Sequence, residues 1–247
     1  MQDAFAHVAA APWVAVAVVF IAMVAAVVQF GLGMGFGLTA APLLALIDPQ
    51  LVPVSTLYLG LATSAWTAFD ERGAVVWPEV WTAAVGRLIG VVVATAVLVW
   101  ISDRKAFSLV FGLMVGLAVL LSVAGWRLKF SRPSLVAMAT VSGLMGTITS
   151  VGAPPLAIVY QDRPAGQARP TLAAFFAVGC ALSLVGLHLS GWAGPRDLAL
   201  ALIMVPGMLA GWLVARLLAG RFDKRYRPAL LTVAAVAAVI LVLRGLA

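Results

Sequence analysis

The sequence predicts an all-α polytopic membrane protein with about eight transmembrane helices in two pseudo-symmetric four-helix repeats. Three observations predict this fold. Of the 247 residues, 64% are hydrophobic and only 10% are charged, whereas soluble domains carry about 25% charged residues. Apolar runs of about 20 residues, long enough to cross a bilayer, recur along the whole chain. A segment rich in glycine and proline interrupts one such run in each half.

Short loops separate the predicted spans, so no soluble domain is expected between them. The first apolar run lacks the small-residue cleavage site of a signal peptide, and nothing is expected to be removed. The first and fifth spans are broken by the glycine-rich segments. The spans are predicted at 12–30 continued by 37–47, then at 51–69, 79–101, 106–125, 134–160, 170–190, 197–219 and 228–245.

The two interrupted segments resemble each other. At an offset of 112 residues, "GLGMGFGLTAAPLLALI" (31–47) aligns with "GLMGTITSVGAPPLAIV" (143–159) at six identical positions. At an offset of 117 residues, "QLVP" (50–53) aligns with "QARP" (167–170). These collinear matches divide the chain into a first repeat, 1–126, and a second repeat, 127–247.

The interruptions predict a site for an anion. A glycine run lets the chain leave helical geometry, and the next half-helix then begins inside the membrane with free N–H groups and a positive dipole end. Corresponding breaks in two halves are typical of transport sites and should face each other across a cavity. The alternative is that the small residues serve only close helix packing. The predicted substrate-binding residues of the two breaks are Gly31, Gly33, Gly35, Gly37, Thr39, Pro42, Ser142, Thr147, Thr149, Ser150, Gly152, Pro154 and Pro155.

The placement of charge indicates a negatively charged substrate. All nine acidic residues fall at span ends or in loops, so none is expected at mid-membrane to bind a cation. Arg87 lies about two turns inside its span, where a charge is costly unless it faces a cavity or a partner. Arg87 is therefore a further candidate for substrate binding, the alternative being an arginine that reaches the interface or a structural role. His188, close to a span end, is interpreted as an interfacial residue or a titrating group.

The net charge of +7 reflects basic loops rather than a nucleic-acid surface. Lysine and arginine cluster at 102–105 and 221–227, as in topology signals that contact anionic lipid. Both loops are predicted to be cytoplasmic with the termini outside, although the basic linker 127–132 argues the other way. The single cysteine, Cys180, excludes an intrachain disulfide and a cysteine-based metal site, and it is interpreted as a packing residue. No metal or cofactor is expected.

The segments "GLGMGFGLTAAPLLALIDPQLVP" and "SGLMGTITSVGAPPLAIVYQDR…ARPTLAAFF" resemble the two signature regions of the sulfite exporter TauE/SafE family. The resemblance covers essentially the whole chain. It implies a duplicated four-helix unit and transport of sulfite, organosulfonates or related small anions across a bacterial inner membrane. The chain departs from the common pattern at Ala153, where many relatives have glycine, so the substrate stays open.

These observations predict a non-enzymatic secondary transporter or exporter of small oxyanions, best fitted to sulfite or a small organosulfonate, that works by alternating access. No nucleotide-binding loop is present. Two other classes remain: a noncatalytic assembly or partner subunit, and, less favoured, an intramembrane enzyme, which would need a nucleophile or metal ligands at membrane depth. The sequence leaves the driving ion and a homo-oligomer open.

Overall fold

The computed structural model describes residues 12–101, 103–218 and 226–246, which form ten α-helices, two short 3-10 helices and no strand. The 3-10 helices span Pro49–Leu51 and Arg72–Ala74. The α-helices are α1 (Pro12–Leu32), α2 (Phe36–Ile47), α3 (Val54–Asp70), α4 (Trp77–Trp100), α5 (Arg104–Val123), α6 (Arg132–Thr149), α7 (Ala153–Tyr160), α8 (Ala165–Leu189), α9 (Pro195–Leu217) and α10 (Tyr226–Leu246).

Five described helices are long and apolar enough to cross a membrane, namely Pro12–Leu32, Trp77–Trp100, Lys105–Val123, Ala165–Leu189 and Pro195–Leu217. Large apolar side chains cover the outside of the bundle: Trp100 is 88% exposed and Leu189 is 85% exposed. Such a surface suits lipid rather than water. The chain is therefore a multi-pass, all-helical membrane protein.

Close backbone contacts fix the directions of neighbouring helices. Gly86 and Gly90 of α4 pack on the backbone of Val136 and Thr140 of α6, so these two helices run parallel. Small residues let helix backbones approach closely where lipid gives no hydrophobic drive for association. In the same way, Gly207 and Gly211 of α9 pack on Val19 and Met23 of α1, again in parallel.

Helices α3 and α8 run antiparallel. Tyr58 Oη and His188 Nε2 are 3.2 Å apart near one end of this pair, and Glu71 and Arg169 form an ion pair at the other. Helices α5 and α10 are also antiparallel, since Leu109 contacts Gly245. We call end A the end of the bundle where α1, α3, α5 and α9 begin, and end B the end where α4, α6, α8 and α10 begin.

The chain folds back at both glycine-containing interruptions. After α7, Tyr160 lies against Phe130, with ring centroids 5.4 Å apart, so α6 and α7 form a hairpin that returns to end B. After α2, Gln50 accepts a hydrogen bond of 3.0 Å from Arg196 at the start of α9, so α1 and α2 return to end A. The predicted first and fifth spans are thus hairpins rather than single crossings.

The expectation that both basic loops share one side is wrong. Asp103 precedes α5 at end A, whereas α9 finishes and α10 begins at end B. Most of 221–227 lies outside the described residues, but the helices that flank it meet at end B. The linker 127–132 lies at end B too, because Gln161 donates to the carbonyl of Trp126 at 3.3 Å. The hydropathy pattern does not reveal that each hairpin returns to the end of the bundle at which it begins.

Candidate functional site

Left-handed backbone reverses the chain at both interruptions. Between α1 and α2, Gly33 has φ 75° and Gly35 has φ 113°. Between α6 and α7, Ser150 has φ 64° although it is not a glycine. Glycine adopts this left-handed region at little cost, whereas a residue with a side chain is strained there. Strained residues of this kind often occur at functional sites. We call residues 33–35 the first break and residues 150–152 the second break.

The two breaks meet in the bundle. A Cβ on Gly37, next to the first break, would overlap the carbonyl oxygen of Ser150. Beside this contact lies a cavity of about 40 Å³. Since a buried water needs roughly 10–15 Å³, the cavity has the size for a few waters or a small oxyanion. It is lined by Gln29, Gly35, Phe36, Gly37, Leu38, Thr56, Leu57, Gly60, Ser64, Ser150, Gly152, Ala153, Phe176 and Cys180.

The first turn of α2 directs main-chain donors toward this cavity. The Oε1 atom of Gln29 accepts from the amide of Phe36 at 3.0 Å, and its Nε2 donates to Ser64 Oγ at 3.1 Å. The amides of Gly37 and Leu38, in the same first turn, have no intrahelical acceptor by helix geometry. Gln29 Nε2 also donates to the carbonyl of Gly33 at 3.2 Å, so the Gln29 amide is fully engaged and braces the first break. The cavity therefore combines free N–H groups of α2 with the hydroxyl of Ser64.

The second break is braced by its own hydrogen bonds. Ser142 Oγ donates to the carbonyl of Gly152 at 2.7 Å, and Thr149 Oγ1 accepts from the amide of Val151 at 3.1 Å. Pro154 and Pro155 carry no N–H, so the first turn of α7 offers fewer main-chain donors than that of α2. More free main-chain amides are therefore available at the first break than at the second.

Arg87 is buried directly behind the second break, with only 1% of its surface exposed. Its Nη1 donates to the carbonyl and hydroxyl oxygens of Ser142 at 2.7 and 3.1 Å, and its Nη2 donates to Ser183 Oγ at 3.0 Å. A Cβ on Gly152, which lines the cavity, would lie 2.9 Å from Nη1, so the guanidinium packs against the cavity wall at this glycine. Gly179 packs against Nε of Arg87, and the next residue, Cys180, lines the cavity.

No acidic side chain within the described ranges forms an ion pair with Arg87. Its Nε is buried and makes no hydrogen bond. Neutral hydroxyl and carbonyl groups orient the guanidinium without cancelling its charge. A buried unpaired charge costs several kcal/mol, and this cost is offset when an anion lies nearby.

The predicted site residues fall into three groups. Gly35, Gly37, Ser150 and Gly152 line the cavity. Arg87 and Ser142 lie behind it. The remaining predicted residues are packing, capping or bracing groups away from the cavity lining: Gly31, Gly33, Thr39, Pro42, Thr147, Thr149, Pro154 and Pro155.

Thr39 and Pro42 illustrate why some predicted residues do not line the cavity. The hydroxyl of Thr39 donates to the carbonyl of Gly35 at 3.0 Å, within its own chain segment. Pro42 lies inside α2 rather than in its first turn, where it leaves the carbonyl of Leu38 without a helical donor. Pro154, by contrast, does lie at the start of α7.

Sequence reasoning missed Gln29, Thr56, Ser64 and Ser183. Gln29 had a signal, since it is an amide at the end of a long apolar run. Ser64 and Thr56 belong to "STLYLGLATS", which reads as an ordinary span containing hydroxyls that bond to their own helix. Ser183 is brought to Arg87 and to Thr147 Oγ1, at 2.8 Å, only by tertiary packing.

No group of three or more metal-binding side chains occurs in the part of the chain that the structure describes. A comparison with curated proteins found no match, and neither did a comparison with solved structures. A comparison with protein families found one that matches residues 18–241, nearly the whole chain. On that match, together with its apolar spanning helices, the chain belongs to the sulfite exporter TauE/SafE family.

Proposed function

We propose that the chain is a secondary transporter that exports small oxyanions, sulfite or a small organosulfonate, across the bacterial inner membrane by alternating access. Membership of an exporter family supports transport of an anion. The observation that carries the proposal is Arg87, a fully buried guanidinium without a carboxylate partner within the described ranges, beside a cavity that both breaks line.

The binding step uses three kinds of group. First-turn amides of α2 and the hydroxyl of Ser64 donate to the oxygens of the anion, and Gln29, whose amide bonds to Gly33, Ser64 and Phe36, holds these groups in place. Arg87 supplies positive charge from behind Gly152, where low polarity leaves it poorly screened. Donors fixed in this way compensate an oxyanion for its lost water without the cost of reorganisation.

The helix directions support two inverted repeats, 1–126 and 127–247. Each half consists of a hairpin and three helices that run between the ends, so the second half begins at the end opposite the first. In this arrangement six helices run from end to end, and each hairpin returns to the end of the bundle at which it begins. Inverted repeats with discontinuous helices at the site are a common basis of alternating access.

The distribution of basic residues assigns end B to the cytoplasm by the positive-inside rule. The end A set is Arg104, Lys105, Arg196 and Arg244, and the described end B set is Arg72, Arg127, Lys129, Arg132, Arg163, Arg169 and Arg216. The segment 221–227 adds four more basic residues between α9 and the first turn of α10. The first residues of α1 and the last residues of α10 then face outward.

The test is counterflow of radiolabelled sulfite in proteoliposomes that contain the wild-type chain or Arg87→Gln. The matched control is Arg216→Gln, because Arg216 is exposed at the end of α9 and stacks on Trp212. We expect wild type and the control to transport and Arg87→Gln to lose most activity. A wild-type chain that moves neither sulfite nor any small organosulfonate would overturn the proposal.

A further inference from the structure

Each break rests against the other half of the chain, the second break against Pro53 just before α3 and the first break against Arg169 near the start of α8. Ser150 of the second break donates to the carbonyl of Pro53 at 2.9 Å. Gly33 of the first break lies against Arg169, whose Cγ a Cβ on Gly33 would overlap. The two contacts join corresponding positions of the two halves. Ser150 follows Gly33 by 117 residues, and the "QARP" motif that contains Arg169 follows the "QLVP" motif that contains Pro53 by the same 117 residues.

The contact at Pro53 is neutral. Ser150 Oγ lies 2.6 Å from Thr56 Oγ1, and the hydroxyl of Thr56 also donates to the carbonyl of Pro53 at 2.7 Å. On one side of this cluster, toward end A, lies a cavity of about 360 Å³ that reaches Pro53 and Val54. On the other side lies the small cavity between the breaks, which reaches Thr56 and Ser150. The hydroxyl cluster therefore lies between the larger cavity at end A and the small cavity between the breaks.

The corresponding contact toward end B is charged. Arg169 Nη2 lies 3.0 Å from Glu71 Oε1 and donates to the carbonyl of Phe30 at 2.8 Å, next to the first break. Its Nε is buried and makes no hydrogen bond, so one donor of the fork is unused. The side chains of Arg169 and Glu71 are 39% and 30% exposed, so an ion arriving from end B can reach the pair.

We propose that Arg169 is a substrate-responsive gate residue at end B, which exchanges the carboxylate of Glu71 for the transported oxyanion. This inference rests on the proposed anion transport. An arginine binds a carboxylate or an oxyanion with the same planar fork. The exchange therefore leaves the guanidinium paired throughout, whereas simple opening would expose two separated charges. Moving with the anion, Arg169 would release the first break and admit the substrate toward the cavity.

The proposal makes Glu71 a competitor of the substrate. Removing its charge in Glu71→Gln should lower the KM for anion presented at end B, because the anion no longer displaces a carboxylate. Removing the fork in Arg169→Gln should raise that KM at least several-fold. Neither change should alter the affinity of the central cavity, since neither residue lines it.

The experiment measures sulfite uptake into membrane vesicles of both orientations, with a thermal-shift titration of each purified variant by sulfite. The control is Arg163→Gln, which breaks the Arg163–Glu79 ion pair at the same end but touches neither break. We expect opposite KM shifts for Arg169→Gln and Glu71→Gln at end B only, an unchanged KM at end A, and retained sulfite-induced stabilisation.

Three results overturn the gate: equal KM shifts at both ends, shifts of the same sign in both variants, or an equal shift in Arg163→Gln. Loss of sulfite-induced stabilisation in Arg169→Gln overturns it as well, because Arg169 would then belong to the central site. A wild-type chain that shows neither uptake nor stabilisation refutes the proposed function instead, so the two failures are distinguishable.

Discussion

Gly37 of the first hairpin and Ser150 of the second are in direct backbone contact, close enough that a Cβ on Gly37 would overlap the Ser150 carbonyl oxygen. This contact joins two segments that are 113 residues apart in the chain. The small cavity lies beside it and takes its lining from both hairpins. A movement of either hairpin therefore changes the shape of the cavity.

The first prediction concerns this contact. Gly37→Ala should push the hairpins apart and abolish sulfite transport while the protein still inserts and purifies. Gly166→Ala is the matched control, since a Cβ on Gly166 meets open space. Counterflow in proteoliposomes and a melting curve of both variants check this. Normal transport by Gly37→Ala would mean that the contact is a packing device only.

The second prediction tests the sign of the substrate at Gln29. Gln29→Glu keeps an acceptor for the Phe36 amide but replaces a donor by a negative charge on the cavity wall. An anion should then bind much more weakly, whereas a cation would bind more tightly. Titration of the purified variant with sulfite in a thermal-shift assay measures this, with the exposed Gln161→Glu as control. Unchanged sulfite affinity would contradict an anion site at the first break.

The third prediction concerns Ser183, which orients Arg87 from α8. Ser183→Ala removes a hydrogen bond to a charged group, worth about 1.5 kcal/mol or roughly a tenfold change in an equilibrium constant. We expect KM for sulfite to rise by about tenfold, with a smaller change in maximal rate. Ser122→Ala, far along α5, is the control. A fall in maximal rate alone would assign Ser183 to helix packing.

The sequence was sufficient for the all-helical membrane fold, because apolar length acts locally, and helix interruptions at 33–35 and 150–152 fall within the glycine-containing segments. It was insufficient for the register. The breaks align at an offset of 117, with Gly35 and Gly152 both preceding a helix, rather than at the offset of 112 favoured by the identities. Pro42 and Pro154 are thus not equivalent, since identities among small and apolar residues are a poor guide to structural register.

The hydrogen-bond partners of the site's side chains also could not be predicted from the sequence. Arg87 was recognisable because a charge well inside an apolar span is unusual. Its orientation by Ser142 and Ser183 depends on the parallel packing of α4 with α6 and α8, which periodicity does not specify. The hydroxyls of Thr147 and Thr149 were expected to face the substrate, but they bond to Ser183 and to the Met145 carbonyl instead.

The fourth prediction is topological. Asp103→Cys and Lys129→Cys, both at exposed positions, should be labelled from opposite sides of the membrane in a Cys180→Ala background. The proposed orientation, with end B in the cytoplasm by the positive-inside rule, has Lys129 inside and Asp103 outside. A membrane-impermeant thiol reagent on intact cells should therefore label only Asp103→Cys, and permeabilised cells should show both. Labelling of both variants in intact cells would contradict the helix directions.

The last prediction joins the charge of Arg87 to the valence of the substrate. Coulomb attraction scales with charge and is poorly screened in a low-dielectric cavity. Arg87→Gln should therefore weaken transport of a divalent oxyanion more than transport of a monovalent one. Arg87→Lys should retain part of the activity, because it keeps the charge but loses the planar fork held by Ser142 and Ser183.

Counterflow of one monovalent and one divalent anion across a range of pH measures this difference, with Arg216→Gln as the control for removal of a surface charge. A titration by sulfite in the thermal-shift assay shows whether any loss arises in binding or in a later step. Equal activity of wild type and Arg87→Gln for every anion would remove Arg87 from the site. The amides of α2 and the hydroxyl of Ser64 would then be the remaining groups for holding the anion.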